Sequence, residues 1–63
     1  MMKKRSFDKG QTVKIKPQVN EHGGKVGTVV YAGQELGWRV VKVKFDELPR
    51  PVSFTPDELE GHL

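Results

Sequence analysis

The residues whose spacing first suggests chemistry form a glycine-rich segment, residues 21–29, which reads EHGGKVGTV. Glycines beside a lysine can cradle a phosphate, as in the P-loop of nucleotide-binding enzymes. That motif needs Ser or Thr directly after the lysine and then a helix, whereas Lys25 precedes Val26 and a β-branched run. A dinucleotide-binding loop is excluded because it also opens a helix. We therefore interpret the segment as a turn and a strand, with Gly24 and Gly27 meeting backbone requirements.

Groups for catalysis or metal binding are sparse and scattered along the chain. The two histidines, His22 and His62, lie forty residues apart without any cysteine in the sequence, which is not metal-ligand spacing. Neither serine stands in a motif that supplies a base and an orienting group. The carboxylate pairs at 46–47 and 57–58 fall in expected turns, where acids commonly serve as turn and capping residues. The sequence thus predicts no catalytic residue, no metal, no cofactor and no small-molecule substrate, so the protein is expected not to be an enzyme.

Basic residues interleaved with an aromatic residue give the stronger functional indication. Cationic side chains contact phosphates, and an aromatic ring can stack on a base. Residues 1–25 carry seven Lys or Arg against two acids, whereas residues 26–63 carry four against six. A basic front half predicts an acidic partner, either RNA or an acidic protein surface. The candidate binding residues are Lys14, Lys16, Lys25, Trp38, Arg39 and Lys42. The alternative, that the lysines only keep a small protein soluble, stays open at this point.

The orientation of Trp38 decides how much of this surface is usable. Alternation along the third predicted strand places Val41 and Val43 on one face and Trp38 on the other. In that phase the ring is available to a partner. A β-bulge near Gly37 would reverse the phase and bury the ring.

The length and composition restrict the class of protein. A chain of 63 residues forms one domain at most, and no cysteine is present to form a disulfide. The charged start, MMKKR, is not followed by the apolar region of a signal peptide, and no segment approaches the length of a membrane span. We expect a small basic cytoplasmic protein, monomeric on its own, with no membrane partner.

The elements that must position these residues are short strands. Alternating and β-branched runs bounded by Gly and Pro predict strands at 11–16, 25–31, 38–45 and 52–54, with a brief closing strand after them. Thr55, Pro56 and Glu58 form a helix-start signature long enough only for a 3₁₀ turn. Because no connection is long enough for a crossover helix, the sheet is antiparallel. The prediction from these patterns is an all-β, five-stranded antiparallel small barrel or sandwich over residues 7–63, preceded by a flexible basic tail at 1–6.

Two segments resemble the KOW motif. Residues 9–15, KGQTVKI, are followed by residues 24–29, GKVGTV, which is similar to the strand–loop–strand pattern of that family. The resemblance implies an SH3-like barrel that binds RNA or protein, as in ribosomal proteins and transcription elongation factors. The chain departs from the pattern at Gln11, where an acidic residue is usual, and in its loop at residues 17–22.

A second resemblance involves the other end of the chain. Residues 41–45, VKVKF, and 54–59, FTPDEL, look like the closing half of SH3-like accessory subunits of photosynthetic redox complexes. Both resemblances imply the same barrel but differ in the partner. The leading hypothesis is a non-catalytic module that binds RNA or a ribonucleoprotein. The alternative is an accessory or adaptor subunit that docks on an acidic protein in a larger complex.

Overall fold

The computed structural model describes residues 7–61 of the chain. The expected tail at 1–6, as well as His62, lies outside the described residues. Within them, the predicted sequence of elements is observed with modest changes in length. The strands are β1 (Thr12–Ile15), β2 (Val26–Glu35), β3 (Trp38–Lys44), β4 (Val52–Phe54) and β5 (Leu59–Gly61), with a 3₁₀ turn at Pro56–Glu58 before β5.

The strands form one antiparallel sheet in the order β4-β3-β2-β1-β5. The predicted all-β class, the antiparallel pairing and the 3₁₀ turn are therefore confirmed. The predicted barrel closure is not: among residues 7–61, β4 and β5 are the edges of the sheet and are not paired with each other.

The core lies on one face of this sheet and is wholly apolar. Alternation places every second side chain inward, as predicted for the first and third strands. The buried residues are Val13, Ile15, Val29, Val41, Val43, Phe45, Phe54 and Leu59. The opposite, outer face is left for polar and exposed side chains, and it is the face on which most of the predicted binding residues were expected.

Strand β2 is longer than predicted. The sequence suggested that it ends near Tyr31 and that residues 32–37 form a turn, but pairing with β3 continues to Glu35 opposite Trp38. Only Leu36 and Gly37 form the turn, with φ of 52° and 83°. Two successive residues with positive φ are typical of the type I′ hairpin turn, whose twist matches that of the flanking strands.

The far half of this hairpin projects beyond the rest of the sheet. Strand β1 pairs with β2 only between Val26 and Thr28, and β4 pairs with β3 only between Val41 and Val43. Among the described residues, 33–35 and 38–40 therefore form backbone ladders only with each other, and 31–32 pair only with 41–42 of β3. We call residues 31–40 the ribbon.

None of the helical segments within residues 7–61 has the length and hydropathy to cross a membrane.

Gly24 and Gly27, singled out in the glycine-rich segment, have separate structural roles. Gly24 has a φ of 85° in the turn before β2, a conformation that favours glycine. At Gly27 the constraint is close approach, since a Cβ there would lie 2.6 Å from Val43 Cγ1 and 2.9 Å from Phe45 Cδ1. The segment is thus the turn and strand predicted from the sequence.

Candidate binding surface

A β-bulge determines which side chains reach the outer face of the ribbon. Val29 pairs with Val43, but the next pair is Tyr31 with Lys42, so Val30 is an extra residue in β2. Without the bulge, Tyr31 would share the inward face of Val29. With it, Tyr31 lies directly opposite Lys42 on the outer face, because directly paired residues project from the same side of a sheet.

Tyr31 and Lys42 belong to a cluster on this outer face. The Tyr31 ring lies across Gly33, where an added Cβ would be 2.5 Å from the phenolic oxygen. Lys42 Nζ lies 5.3 Å from the centroid of the Tyr31 ring and 3.2 Å from Glu35 Oε2. The ring and the carboxylate together hold the cation against the ribbon.

Trp38 lies on the outer face, as its phase in the sequence predicted. It is 71% exposed, and its direct partner across the hairpin is Glu35. The bulge that would have buried it lies at Val30 instead of near Gly37, and so it does not change the phase of β3. The ring is therefore accessible on a surface that also carries Tyr31, which is 40% exposed, and Lys42.

Arg39 is the one candidate on the ribbon that does not share this face. It pairs with Gln34, between Trp38 and Val40, and so it projects from the opposite side of the ribbon. Strand β3 thus carries Trp38 and Lys42 on one face and Arg39 on the other.

Lys14 and Lys16 lie at the other end of the sheet. Lys14 is on the outer face, opposite Val26 on one side and Glu60 on the other, and forms no ion pair within residues 7–61. The Lys16 backbone N–H donates to the carbonyl of Glu58 at 3.0 Å, which fixes Lys16 beside the 3₁₀ turn. In a flat sheet, Lys14 and Lys42 would be roughly 16 Å apart, given two strand spacings and about four residues of offset.

Asp57 adds a negative charge near Lys16. A hydrogen bond from the Thr55 side chain is the main reason that the pKa of Asp57 is lowered, and the charge of Lys16 contributes less. Glu58 accepts from the Thr55 N–H at 3.0 Å, which is the capping role predicted for it. The acids in this turn therefore have structural partners.

Lys25 forms an ion pair with Glu47 near the end of β3 that is far from Trp38. Its Nζ lies 2.6 Å from Glu47 Oε2, and this hydrogen bond is the largest of the effects that lower the pKa of Glu47. Lys44 Nζ is also committed, because it donates to the carbonyl oxygens of Phe45, at 2.7 Å, and of Leu48. Neither lysine lies with the ribbon cluster.

His22 packs against the core and is not part of the outer face. Its side chain is only 15% exposed, and its ring stacks on Phe45 with the centroids 5.6 Å apart. Its backbone N–H donates to Asn20 Oδ1 at 2.8 Å, which shapes the loop before β2. No group of three or more His, Cys, Asp or Glu side chains suited to a metal ion occurs among residues 7–61.

Sequence reasoning missed two residues of this surface, Tyr31 and Glu35. Tyr31 was placed at the end of the second strand without a face, and Glu35 was assigned to the turn. A glycine two residues after a strand tyrosine, as at Gly33, is the only signal in the sequence that relates to the observed ring position.

The chain was compared with protein families, curated proteins and solved structures, and none of them matches.

Proposed function

We propose that this protein is a non-catalytic module that binds single-stranded RNA across the outer face of its sheet. The observation that carries the proposal is the exposure of Trp38 on the same face as Lys42 and Lys14. An aromatic ring on a sheet surface offers a stacking platform, and each stacked base contributes about 1–3 kcal/mol to binding. Covering the exposed tryptophan ring with a partner also removes apolar surface from water, which is favourable.

The distribution of lysines supports an extended ligand. Lys14 lies roughly 16 Å from Lys42 by strand geometry and Lys16 lies farther still, a separation that a polymer with regularly spaced phosphates bridges and a small molecule does not. In a duplex the base faces are stacked inside, whereas a single strand presents them to an aromatic side chain. Single-stranded RNA therefore satisfies both the ring and the distant cations.

The fold supports the same proposal through the sequence resemblance. We infer an SH3-like arrangement from the order of the five strands and the 3₁₀ turn before β5. The KOW-like spacing of residues 9–15 and 24–29 favours RNA among acidic partners. In this proposal the protein acts as a cytoplasmic monomer without a cofactor.

The test is a titration with single-stranded and duplex RNA of the same sequence at two salt concentrations. Because Trp38 is the only tryptophan, quenching of its fluorescence reports directly on the proposed ring. Contacts with about three phosphates predict a slope of log K on log salt near −2, since each contributes about −0.7 for a single strand. Absence of binding at low salt overturns the proposal.

Substitution of the ring tests the stacking contact, with a labelled RNA and fluorescence anisotropy as the readout. Trp38→Ala is expected to weaken binding by about 1–3 kcal/mol, and Trp38→Phe by less, because a smaller ring still stacks. Leu36→Ala removes a neighbouring exposed apolar side chain and is expected to leave the affinity unchanged. Equal losses for Trp38→Ala and Leu36→Ala would contradict a specific role for the ring.

A second candidate function is docking on an acidic protein surface, as in an accessory subunit of a larger complex. It is favoured by Leu36, which is 97% exposed at the tip of the ribbon and has no group that binds phosphate. A pull-down from native extract with and without nuclease separates the two functions. Retention of a protein partner after nuclease treatment, together with failure of the RNA titration, selects the docking function.

A further inference from the structure

An acidic side chain lies within the proposed RNA-binding face, next to its aromatic ring. Glu35 is the direct cross-strand partner of Trp38, and its Oε2 lies 3.2 Å from Lys42 Nζ. Lys42 and Trp38 are both on the outer face of β3, four residues apart, so the ion pair brings the cation toward the ring. A carboxylate in this place repels the phosphates of any nucleotide stacked on Trp38.

The Glu35 carboxylate also pairs with Lys42, the cation that such a phosphate would bind. Carboxylate and phosphate oxygens are alike as anionic acceptors of a lysine ammonium. The Glu35 and Lys42 side chains are both partly exposed, at 48% and 36%, and exposed ion pairs contribute little to stability. A phosphate held nearby by base stacking can therefore replace the carboxylate at little cost.

Tyr31 keeps the cation in position during such an exchange. Its ring lies over Gly33 and 5.3 Å from Lys42 Nζ, within the range of a cation–π interaction. The ring does not depend on Glu35 for this contact. Lys42 thus has two neighbours, the Tyr31 ring, which does not compete with a phosphate, and the Glu35 carboxylate, which a phosphate can replace.

We propose that Glu35 is an internal competitor of the RNA, because its carboxylate occupies the position at Lys42 that a phosphate takes when a base stacks on Trp38. This inference rests on the proposed function and adds a residue that regulates its affinity. Binding exchanges the Glu35–Lys42 ion pair for a phosphate–Lys42 pair, with no covalent change.

The chain offers a matched control for this inference. Lys25 and Glu47 form a second lysine–glutamate pair, with Nζ and Oε2 2.6 Å apart. This pair lies near the end of β3 that is far from Trp38. Six residues of strand separate Trp38 from that end by about 20 Å, which is more than the Debye length of about 8 Å at physiological salt. Glu35→Gln and Glu47→Gln therefore remove the same charge from equivalent pairs, one at the proposed site and one away from it.

The experiment measures the affinity of a labelled single-stranded RNA for the two variants and the wild type by anisotropy. Glu35→Gln is expected to bind about two- to fivefold more tightly, which corresponds to the value of an exposed ion pair. Its salt slope should steepen by about 0.7, since in the wild type the displaced Glu35 carboxylate takes up a cation on binding and offsets one released counterion. Glu47→Gln should gain less than Glu35→Gln because its charge is screened from the ring. Adding Lys42→Met to Glu35→Gln should abolish the gain.

The outcomes separate this inference from the function on which it rests. If the wild type binds RNA and Glu35→Gln gains no more than Glu47→Gln, the competitor role is overturned and the proposed function stands. A gain that persists in the Glu35→Gln, Lys42→Met double variant also overturns it, since the released cation is then not the cause. If neither the wild type nor Glu35→Gln binds RNA, both proposals are overturned together.

Discussion

Leu36 holds a backbone conformation that its side chain disfavours. Its φ is 52°, and the side chain is 97% exposed at the tip of the ribbon, where no contact compensates for the conformation. A left-handed conformation places Cβ close to the following carbonyl oxygen. This conflict costs about 1–2 kcal/mol for a residue such as leucine, whereas glycine has no Cβ and asparagine tolerates the conformation. Asparagine before glycine is the preferred pair for this turn.

Leu36→Asn is accordingly expected to raise the free energy of unfolding by about 0.5–1 kcal/mol. Urea denaturation followed by Trp38 fluorescence measures the change. Leu36→Ala retains the steric conflict of Cβ and serves as the control, with no gain expected. An equal gain from both variants would show that the apolar exposure of Leu36, and not its φ, causes the instability.

The lysines differ in whether another group of the protein already pairs with their charge, which a count of basic residues does not show. Lys25 and Lys42 each have a glutamate partner, and Lys44 donates to two backbone carbonyls. Lys14 has no ion pair among the described residues. A count of basic residues therefore overestimates how many cations a polyanion meets without displacing another group.

At the scale of elements, the contact between β2 and β3 depends on a missing side chain at Gly27. A Cβ there would come within 2.6 Å of Val43 Cγ1 and 2.8 Å of the Lys44 carbonyl oxygen, so buried groups and backbone would have to move. At Gly33 the nearest atoms belong to the partly exposed Tyr31 ring, which can swing away. The same substitution should thus have different effects at two positions of one strand.

Gly27→Ala is expected to lower the free energy of unfolding by about 1–3 kcal/mol, as overpacking of a core does. Gly33→Ala should stay within about 0.5 kcal/mol of the wild type, as most surface substitutions do. Thermal and urea unfolding of the two variants provide the comparison. A loss at Gly33 as large as that at Gly27 would mean that the Tyr31 ring is held far more firmly than its exposure implies.

At the scale of the whole molecule, acidic groups with lowered pKa values connect stability to pH. The hydrogen bond from Lys25 is the main cause that holds the pKa of Glu47 below its ordinary value of 4.5, and that from Thr55 holds Asp57 below 3.8. A carboxyl group whose pKa is lower in the folded state stabilises the fold above its unfolded pKa. That contribution disappears as the pH falls through the lowered pKa.

The urea midpoint is therefore expected to be constant near neutral pH and to fall below about pH 4.5. Glu47→Gln should begin from a lower midpoint at pH 7 and lose less on acidification, because the group that titrates is gone. Lys25→Met, which removes the donor instead, should flatten the profile in the same way. Parallel profiles for the wild type and Glu47→Gln would contradict the role of this pair.

The sequence by itself determined the class of fold and the two faces of the third strand. Period-two alternation in residues 38–45 is a local property, and so Val41 and Val43, which are buried, were correctly separated from the exposed Trp38. The short connections excluded parallel pairing, and Thr55, Pro56 and Glu58 defined the 3₁₀ turn. These features follow from neighbouring residues alone.

Only the tertiary structure decided the composition of the candidate surface. The bulge at Val30, which turns Tyr31 outward to Lys42, arises from the register between strands that are distant in the chain. The extension of β2 to Glu35 likewise depends on pairing with β3, which overrides the turn tendency of Gly33. The pairing of Lys42 with Glu35 and of Lys25 with Glu47 follows from the same register and not from local sequence. Contacts between distant residues set these features, because alternation fixes a side chain's face only until one extra residue shifts the register.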